Sequence, residues 1–387
     1  MSYLALYRKY RPTNFNEVIG QKHIVTSLKN QIINDQISHA YLFTGTRGTG
    51  KTSIAKIFAR AINCEHPVNA SPCGECATCK AMQNANNLDI IEIDAASNNR
   101  VDEIRDLREK VKYPPVNGRY KVYIVDEVHM LTDSAFNALL KTLEEPPKHT
   151  VFILATTEVQ KLPATILSRC LRFDFKLLEN EEIEGLLKHI FDDSGIKYDN
   201  ESVSLISRLG EGSVRDALSV AEMCVAYTNK NITYNAVIDA VGAIDRKVLS
   251  NLSKYILIGD VNSILNTVNA ILEKGKVVSQ LAKDLANYFR DLAVVKTCDN
   301  ANDILKYPVD VFNDMANLAK DNSITKILNA FKCLSSLDNE FRFSTNPRSL
   351  FELNVLNLTL ENQQSLEERV KVLEDKINKV LPWTKQH

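Results

Sequence analysis

The chain has 387 residues, 44% of them hydrophobic and 25% charged, which is enough for two or three compact domains that each bury a core. A net charge of −1 excludes the basic excess of a protein that coats nucleic acid indiscriminately, so any such contact must be local. No apolar run approaches the roughly 18–20 residues of a membrane span, and the first dozen residues lack a signal-peptide core, which makes the cytoplasm the expected address.

In chain order, short apolar runs alternate with helical patterns: Tyr41–Phe43, Ile90–Ile93, Lys121–Val125 and Val151–Leu154. Continuously apolar strands separated by helices predict a parallel sheet covered on both faces, an α/β nucleotide-binding architecture. Pro114-Pro115 and Pro146-Pro147 break helical continuation and place loops before the third and fourth strands. From Leu178 onward the pattern is amphipathic helix without a convincing strand, so the remainder is expected to be all-α. Helices are predicted near 179–193, 200–208 and 213–228, a hinge at Gly242, and further helices to about 360. Leu366, Val370, Leu373, Ile377 and Val380 then form a stripe at 4-3-4-3 spacing, either a short coiled coil or a terminal helix packed on its own domain.

Gly45-Thr46-Arg47-Gly48-Thr49-Gly50-Lys51-Thr52 fits the phosphate-loop pattern, directly after the first strand and before a helical run that opens at Ser53. Its glycines let backbone N–H groups close around a phosphate, Lys51 reaches the β/γ oxygens, and the Thr52 hydroxyl is suited to magnesium. Asp126-Glu127-Val128-His129 stands at the carboxyl end of the third strand and looks like a Walker B box. Asp126 would hold magnesium through water and Glu127 would polarise the attacking water, while His129 reads as structural. Thr157 follows the fourth strand, where a polar side chain suits a γ-phosphate contact or plain turn chemistry. Arg169, in Ser168-Arg169-Cys170, reads either as a surface arginine or as a residue that stabilises transition-state charge in a neighbouring subunit. Arg215 either reaches the same phosphates or pairs with Asp216 or Glu211.

Cys64, Cys73, Cys76 and Cys79 supply four thiolates on an insert before the second strand, whereas Cys170, Cys224, Cys298 and Cys333 are scattered through core-like segments. Two CxxC steps suit a closed tetrahedral zinc site better than a disulfide framework.

Tyr7-Arg8-Lys9-Tyr10-Arg11-Pro12 with Phe15 and Val18-Ile19-Gly20-Gln21, the phosphate loop, Asp126–His129, Phe136–Pro147, Ser168–Cys170 and Gly212–Ala217 follow one another in the order and spacing of a known family. Over roughly 3–242 the chain resembles the bacterial gamma/tau family of clamp-loader AAA+ ATPases of DNA polymerase III. The resemblance implies an AAA+ domain at 1–178 with a zinc-knuckle insert at 62–82, a helical lid at 179–242, a helical collar at 243–362 that holds subunits in a ring, and a short helical tail at 363–387. It implies that Thr157 is a sensor, Arg169 a finger acting on a neighbour and Arg215 a second sensor. ATP binding would fall to Tyr7, Arg8, Tyr10, Arg11, Pro12, Val18, Ile19, Gly45–Ser53 and Arg215, with Tyr10 standing where tryptophan is common. The cofactors implied are ATP, Mg2+ and Zn2+. The partners implied are delta-like and delta-prime-like subunits, further copies of the chain, a sliding clamp, and primed-template DNA contacted without sequence specificity.

For DNA, the implied residues are Arg100, Arg105 and Lys141, with solvated charge pairs as the alternative. The expected function is ATP-driven loading of the clamp in a bacterial replisome, without polymerase chemistry of its own. A branch-migration type of AAA+ motor would share the ATPase core but lack the cysteine insert and the Ser168–Cys170 loop. A non-hydrolysing scaffold subunit would have lost Lys51 or the Asp126-Glu127 pair, all of which are present.

Overall fold

A computed structural model of the chain describes residues 5–83, 87–97, 101–242, 244–305, 307 and 309–363. It divides into two compact units, one up to Val241 and one from Gly242.

In the first unit the elements run α1 (Leu6–Lys9), α2 (Lys22–Ile33), β1 (Ala40–Thr44), α3 (Lys51–Ala61), α4 (Ala77–Gln83), β2 (Ile90–Asp94), α5 (Val101–Val111), β3 (Lys121–Asp126), α6 (Asp133–Glu144), β4 (Thr150–Thr156), α7 (Ala164–Leu167) and β5 (Leu171–Asp174). The strands form one all-parallel sheet in the order β2-β3-β4-β1-β5, with Ala40 beside Phe152 and Val125 beside Leu154. Side chains alternate across a strand, so each apolar run feeds two cores. Tyr41, Phe43, Ile124 and Ile153 pack with Ile54 and Phe58 of α3 on one face. Leu42, Tyr123, Phe152 and Leu154 pack with Leu107, Phe136 and Leu139 of α5 and α6 on the other. Burial on both faces explains why β1 and β4 are buried throughout, while the edge strands β2 and β5 are partly exposed.

The expected α/β sheet is present, with β5 as a fifth strand beyond the four read from the sequence. Only Phe173 of its four residues is buried, so it carries no continuous apolar run.

The lid follows as α8 (Asn180–Ser194), β6 (Lys197–Tyr198), α9 (Asn200–Leu209), α10 (Val214–Thr228), β7 (Asn231–Ile232) and α11 (Tyr234–Val241). Its helices start on side-chain caps: Asp199 accepts from the Ser202 N–H at 2.6 Å and Ser213 from the Asp216 N–H at 3.2 Å. The expectation of an all-α remainder needs correction here, because β6 and β7 pair in parallel through two residues each. Strands this short leave no periodicity to detect.

The second unit contains α12 (Arg246–Ile258), α13 (Val261–Glu273), α14 (Val278–Thr297), α15 (Ala301–Leu305), α16 (Val309–Lys320), α17 (Ile324–Phe341) and α18 (Pro347–Gln363). They enclose one core around Leu281, Leu285, Phe289 and Leu292 of α14. Asp245, Asp260 and Ser323 cap α12, α13 and α17, and Gly259 ends α12 at φ +87°. The apolar stripe from Leu366 to Val380 lies outside the described residues. Among the described residues no helix is long and apolar enough to cross a membrane.

Candidate nucleotide and metal sites

The parallel sheet brings the carboxyl ends of β1, β3 and β4 to one edge, where helix N-termini converge. The loop between β1 and α3 closes tightly against its surroundings. A Cβ on Gly45 would lie 2.5 Å from the Phe175 carbonyl oxygen, and one on Gly48 only 1.9 Å from Ser213 Oγ, at the N-cap of α10. Lys51 is buried at the start of α3, and its Nζ donates to the Gly45 and Thr46 carbonyls at 2.8 and 2.9 Å. Burial pushes its pKa down, against the opposing pull of Glu127 and Asp126. Thr52 Oγ1 donates to Asp126 Oδ2 at 2.8 Å, so the two oxygen ligands expected for magnesium already adjoin.

Glu127 adopts a left-handed backbone, φ +46° and ψ +45°, at the turn out of β3. Asp126 Oδ1 supports that turn by accepting from the Glu127 N–H at 3.0 Å. Because β3 and β4 are neighbours, Thr157 lies alongside: its N–H and O–H both donate to Glu127 Oε2, at 3.2 and 2.9 Å. Thr157 therefore faces the glutamate and is not among the residues lining the cleft.

That cleft has a volume of about 1090 Å³. Of the residues anticipated for nucleotide, Tyr7, Arg8, Tyr10, Arg11, Pro12, Val18, Ile19, Arg47–Ser53 and Arg215 line it, as do Asp126 and Glu127. Gly45 and Thr46 are set back and contribute their carbonyls to Lys51. Arg215 makes neither of the ion pairs considered for it; its guanidinium sits 5.4 Å from the centre of the Tyr7 ring. Tyr10 reaches the far end of α8, its hydroxyl hydrogen-bonded to Asp193 and, at 2.7 Å, to Ser194. Arg11 Nε donates to Ser53 Oγ at 3.0 Å.

The cleft also takes in Glu17, Glu92, Asp94, Ser97, Leu178, Leu186 and Leu218, none anticipated from the sequence. Glu92 and Asp94 join because β2 lies next to β3, and strand order leaves no local mark in the sequence.

Arg169 lies outside the cleft. Its guanidinium pairs with Glu144 at 2.7 Å and donates to the Thr165 carbonyl at 2.9 Å. Lys141 is exposed on α6; Arg100 and the side chain of Arg105 lie outside the described residues.

In the insert, the four sulfurs of Cys64, Cys73, Cys76 and Cys79 lie within 4.8 Å of one another. A tetrahedral ion with metal–sulfur bonds of about 2.3 Å requires sulfur–sulfur edges of about 3.8 Å. Cys73 and Cys79 are 3.9 Å apart. Backbone N–H groups of Cys73, Cys76 and Cys79 donate to the sulfurs of Cys64, Cys73 and Cys76, each at 3.3 Å, an arrangement that favours thiolates. The N–H groups of Cys76 and Glu75 hold the Cys73 thiol at about 6, while burial pushes Cys64 and Cys79 up. The donor set fits a soft tetrahedral ion with no position left open, and all eight cysteines are free of disulfides.

Comparison with known proteins matches three family models in succession: "DNA polymerase III, delta subunit" over 20–179, "DNA polymerase III clamp loader subunit, ATPase lid domain" over 182–230, and "DNA polymerase III subunits gamma and tau domain III" over 232–373. The chain is 43% identical over 365 residues to DNA polymerase III subunit tau of Bacillus subtilis, spanning 94% of this chain and 65% of that protein. It is 42% identical over 316 residues to subunit tau of Escherichia coli, spanning 82% of this chain and 48% of that protein. To subunit gamma of Buchnera aphidicola it is 38% identical over 362 residues, spanning 93% of this chain and 99% of that protein. The chain thus covers about half to two-thirds of the tau proteins and nearly all of the gamma protein, and it belongs to the DNA polymerase III gamma/tau family.

Proposed function

We propose that the chain is an ATP-hydrolysing subunit of a clamp loader, which couples nucleotide turnover to placing a sliding clamp on primed DNA. The observation that carries this reading is the meeting of Lys51, Thr52, Asp126 and Glu127 at one end of the sheet, in one cleft, in a chain of the gamma/tau family. In this reading Lys51 leaves the Gly45 and Thr46 carbonyls for the β/γ-phosphates, and loop N–H groups surround the β-phosphate. Thr52 and Asp126 hold magnesium, which when bound neutralises phosphate charge. Glu127 orients the attacking water, with Thr157 steadying its carboxylate.

Arg215 enters from the lid, so occupancy of the cleft biases the lid's position. Arg169 exchanges Glu144 for the γ-phosphate of a neighbouring subunit. Zinc is the ion the four thiolates select, in a structural role. Delta-like and delta-prime-like subunits, further copies of the chain, a clamp and primed-template DNA are the proposed partners in the bacterial cytoplasm. Arg100, Arg105 and Lys141 are the proposed backbone contacts to DNA. The intact Lys51 and Asp126-Glu127 favour this reading over a non-hydrolysing scaffold.

The test is steady-state ATP hydrolysis by the reconstituted loader, with and without clamp and primed template. Primer-stimulated turnover that disappears in Lys51→Ala and Arg169→Ala supports the assignment. Hydrolysis indifferent to clamp and primer would show it to be another AAA+ machine.

A further inference from the structure

His129 directly follows the Asp126-Glu127-Val128 turn, yet the mechanism above gives it nothing to do. Its side chain is only 6% exposed and is wedged between two carboxylates from different elements. Nδ1 lies 3.0 Å from Thr156 Oγ1 and 3.4 Å from Glu127 Oε2, while Nε2 lies 3.3 Å from Glu158 Oε1. Thr156 Oγ1 in turn accepts from the Glu158 N–H at 3.0 Å, and Glu127 Oε2 accepts both donors of Thr157. The imidazole thus joins the turn after β3 to the turn after β4. Glu158 Oε1 also accepts from Lys161 Nζ at 2.8 Å, so a hydrocarbon of the same size would fill the space and leave each oxygen its other partner, but would remove the polar link between the two turns.

From this geometry we infer that His129 is a positioning residue for Glu127, an assignment that rests on the ATPase reading. The ring does not line the cleft, so it acts through the carboxylate. With Oε2 held by Thr157 and flanked by the ring, Glu127 cannot rotate about its terminal bond, and Oε1 is the oxygen left to accept a proton from water. The left-handed backbone at Glu127 serves the same end by directing the side chain back toward β4. An unanchored glutamate, 31% exposed, would sample orientations in which neither oxygen meets the water.

The two ring nitrogens have different partners, and that separates positioning from packing. Asparagine places its amide nitrogen where Nδ1 stands, and glutamine where Nε2 stands. In the full chain assembled with its loader subunits, His129→Ala is expected to lower kcat about 10- to 100-fold with KM for ATP within about twofold. His129→Asn, which keeps a donor beside Glu127, should regain most of that loss; His129→Gln, which keeps only the Glu158 contact, should not. Nucleotide affinity and thermal midpoint, measured on all three, identify any variant that has lost its fold.

Equal turnover in Asn and Gln variants of equal stability, or wild-type turnover in His129→Ala, overturns the assignment. Wild-type protein that neither binds nor hydrolyses ATP refutes the ATPase reading, and this assignment with it. Wild-type hydrolysis alongside an indifferent His129 refutes the assignment alone.

Discussion

Gly48 sets up a sharp test of how the lid and the phosphate loop fit together. At φ +79°, a side chain in the Gly48→Ala variant is strained by about 1–2 kcal/mol before it meets any neighbour. Its Cβ would also stand 1.9 Å from Ser213 Oγ, and relieving that overlap moves the hydroxyl off the Asp216 N–H it caps. Overpacking typically costs about 1–3 kcal/mol and a lost N-cap about 1 kcal/mol. The free loop sheds this strain by rearranging, and ATP must restore the phosphate cradle, so affinity should fall by about 3 kcal/mol, or roughly 100-fold.

Titration with a fluorescent ATP analogue measures that loss. The companion substitution Ser213→Gly removes the clashing atoms at only a few tenths of a kcal/mol for the cap, and in the Gly48→Ala background should recover about tenfold. Affinity within twofold of wild type in Gly48→Ala, or no recovery from Ser213→Gly, would refute the argument that this contact shapes the site.

Three further outcomes are expected. Asp89, fully buried, accepts from the Val116, Asn117 and Gly118 N–H groups at 2.6, 2.7 and 2.9 Å; Asp89→Asn should cost about 2–3 kcal/mol and speed hydrogen exchange at those amides, and unchanged exchange would sink the idea. After metal removal, alkylation at pH 7 should strike Cys73 first, since a thiol held at about 6 is mostly thiolate there, and Cys79 last, with zinc protecting all four; the reverse order in peptide mass mapping would contradict the geometry. Thr157→Val removes the hydroxyl on Glu127 without loss of volume and should lower kcat about tenfold while leaving ATP affinity intact; a matching fall in affinity would instead place Thr157 on the nucleotide.

The phosphate loop was legible because its pattern, the preceding apolar strand and the following helix are all local. The same holds for the paired CxxC steps, whose sulfurs converge through a turn at Gly74, φ +78°. The edge strand β5 was not, since with one buried residue it resembles a loop. The partnership of Glu127 with Thr157 leaves no local mark: it depends on β3 and β4 lying side by side, whereas Thr157 by itself suits either a γ-phosphate contact or plain turn chemistry. His129 reads as structural in the sequence, and its contact with Glu158, beyond the end of β4, is one that no spacing in the sequence announces. For Arg215 the sequence leaves a phosphate contact and a helix-start pair both open; the guanidinium lines the cleft and turns toward Tyr7, more than two hundred positions away.

The sheet order carries a burden for synthesis. β1 is buried on every residue, yet both its neighbours come late: Ala40 pairs with Phe152, and Tyr41 with Leu171. At the pace of a ribosome, β4 follows β1 by on the order of ten seconds. Throughout that interval a strand that ends up fully buried has no partner, and both its edges are open to other nascent chains. Protection at this stage has to come from chaperones or from α2 and α3 folding over β1 early, which makes yield in the cell sensitive to substitutions that leave the finished fold untouched.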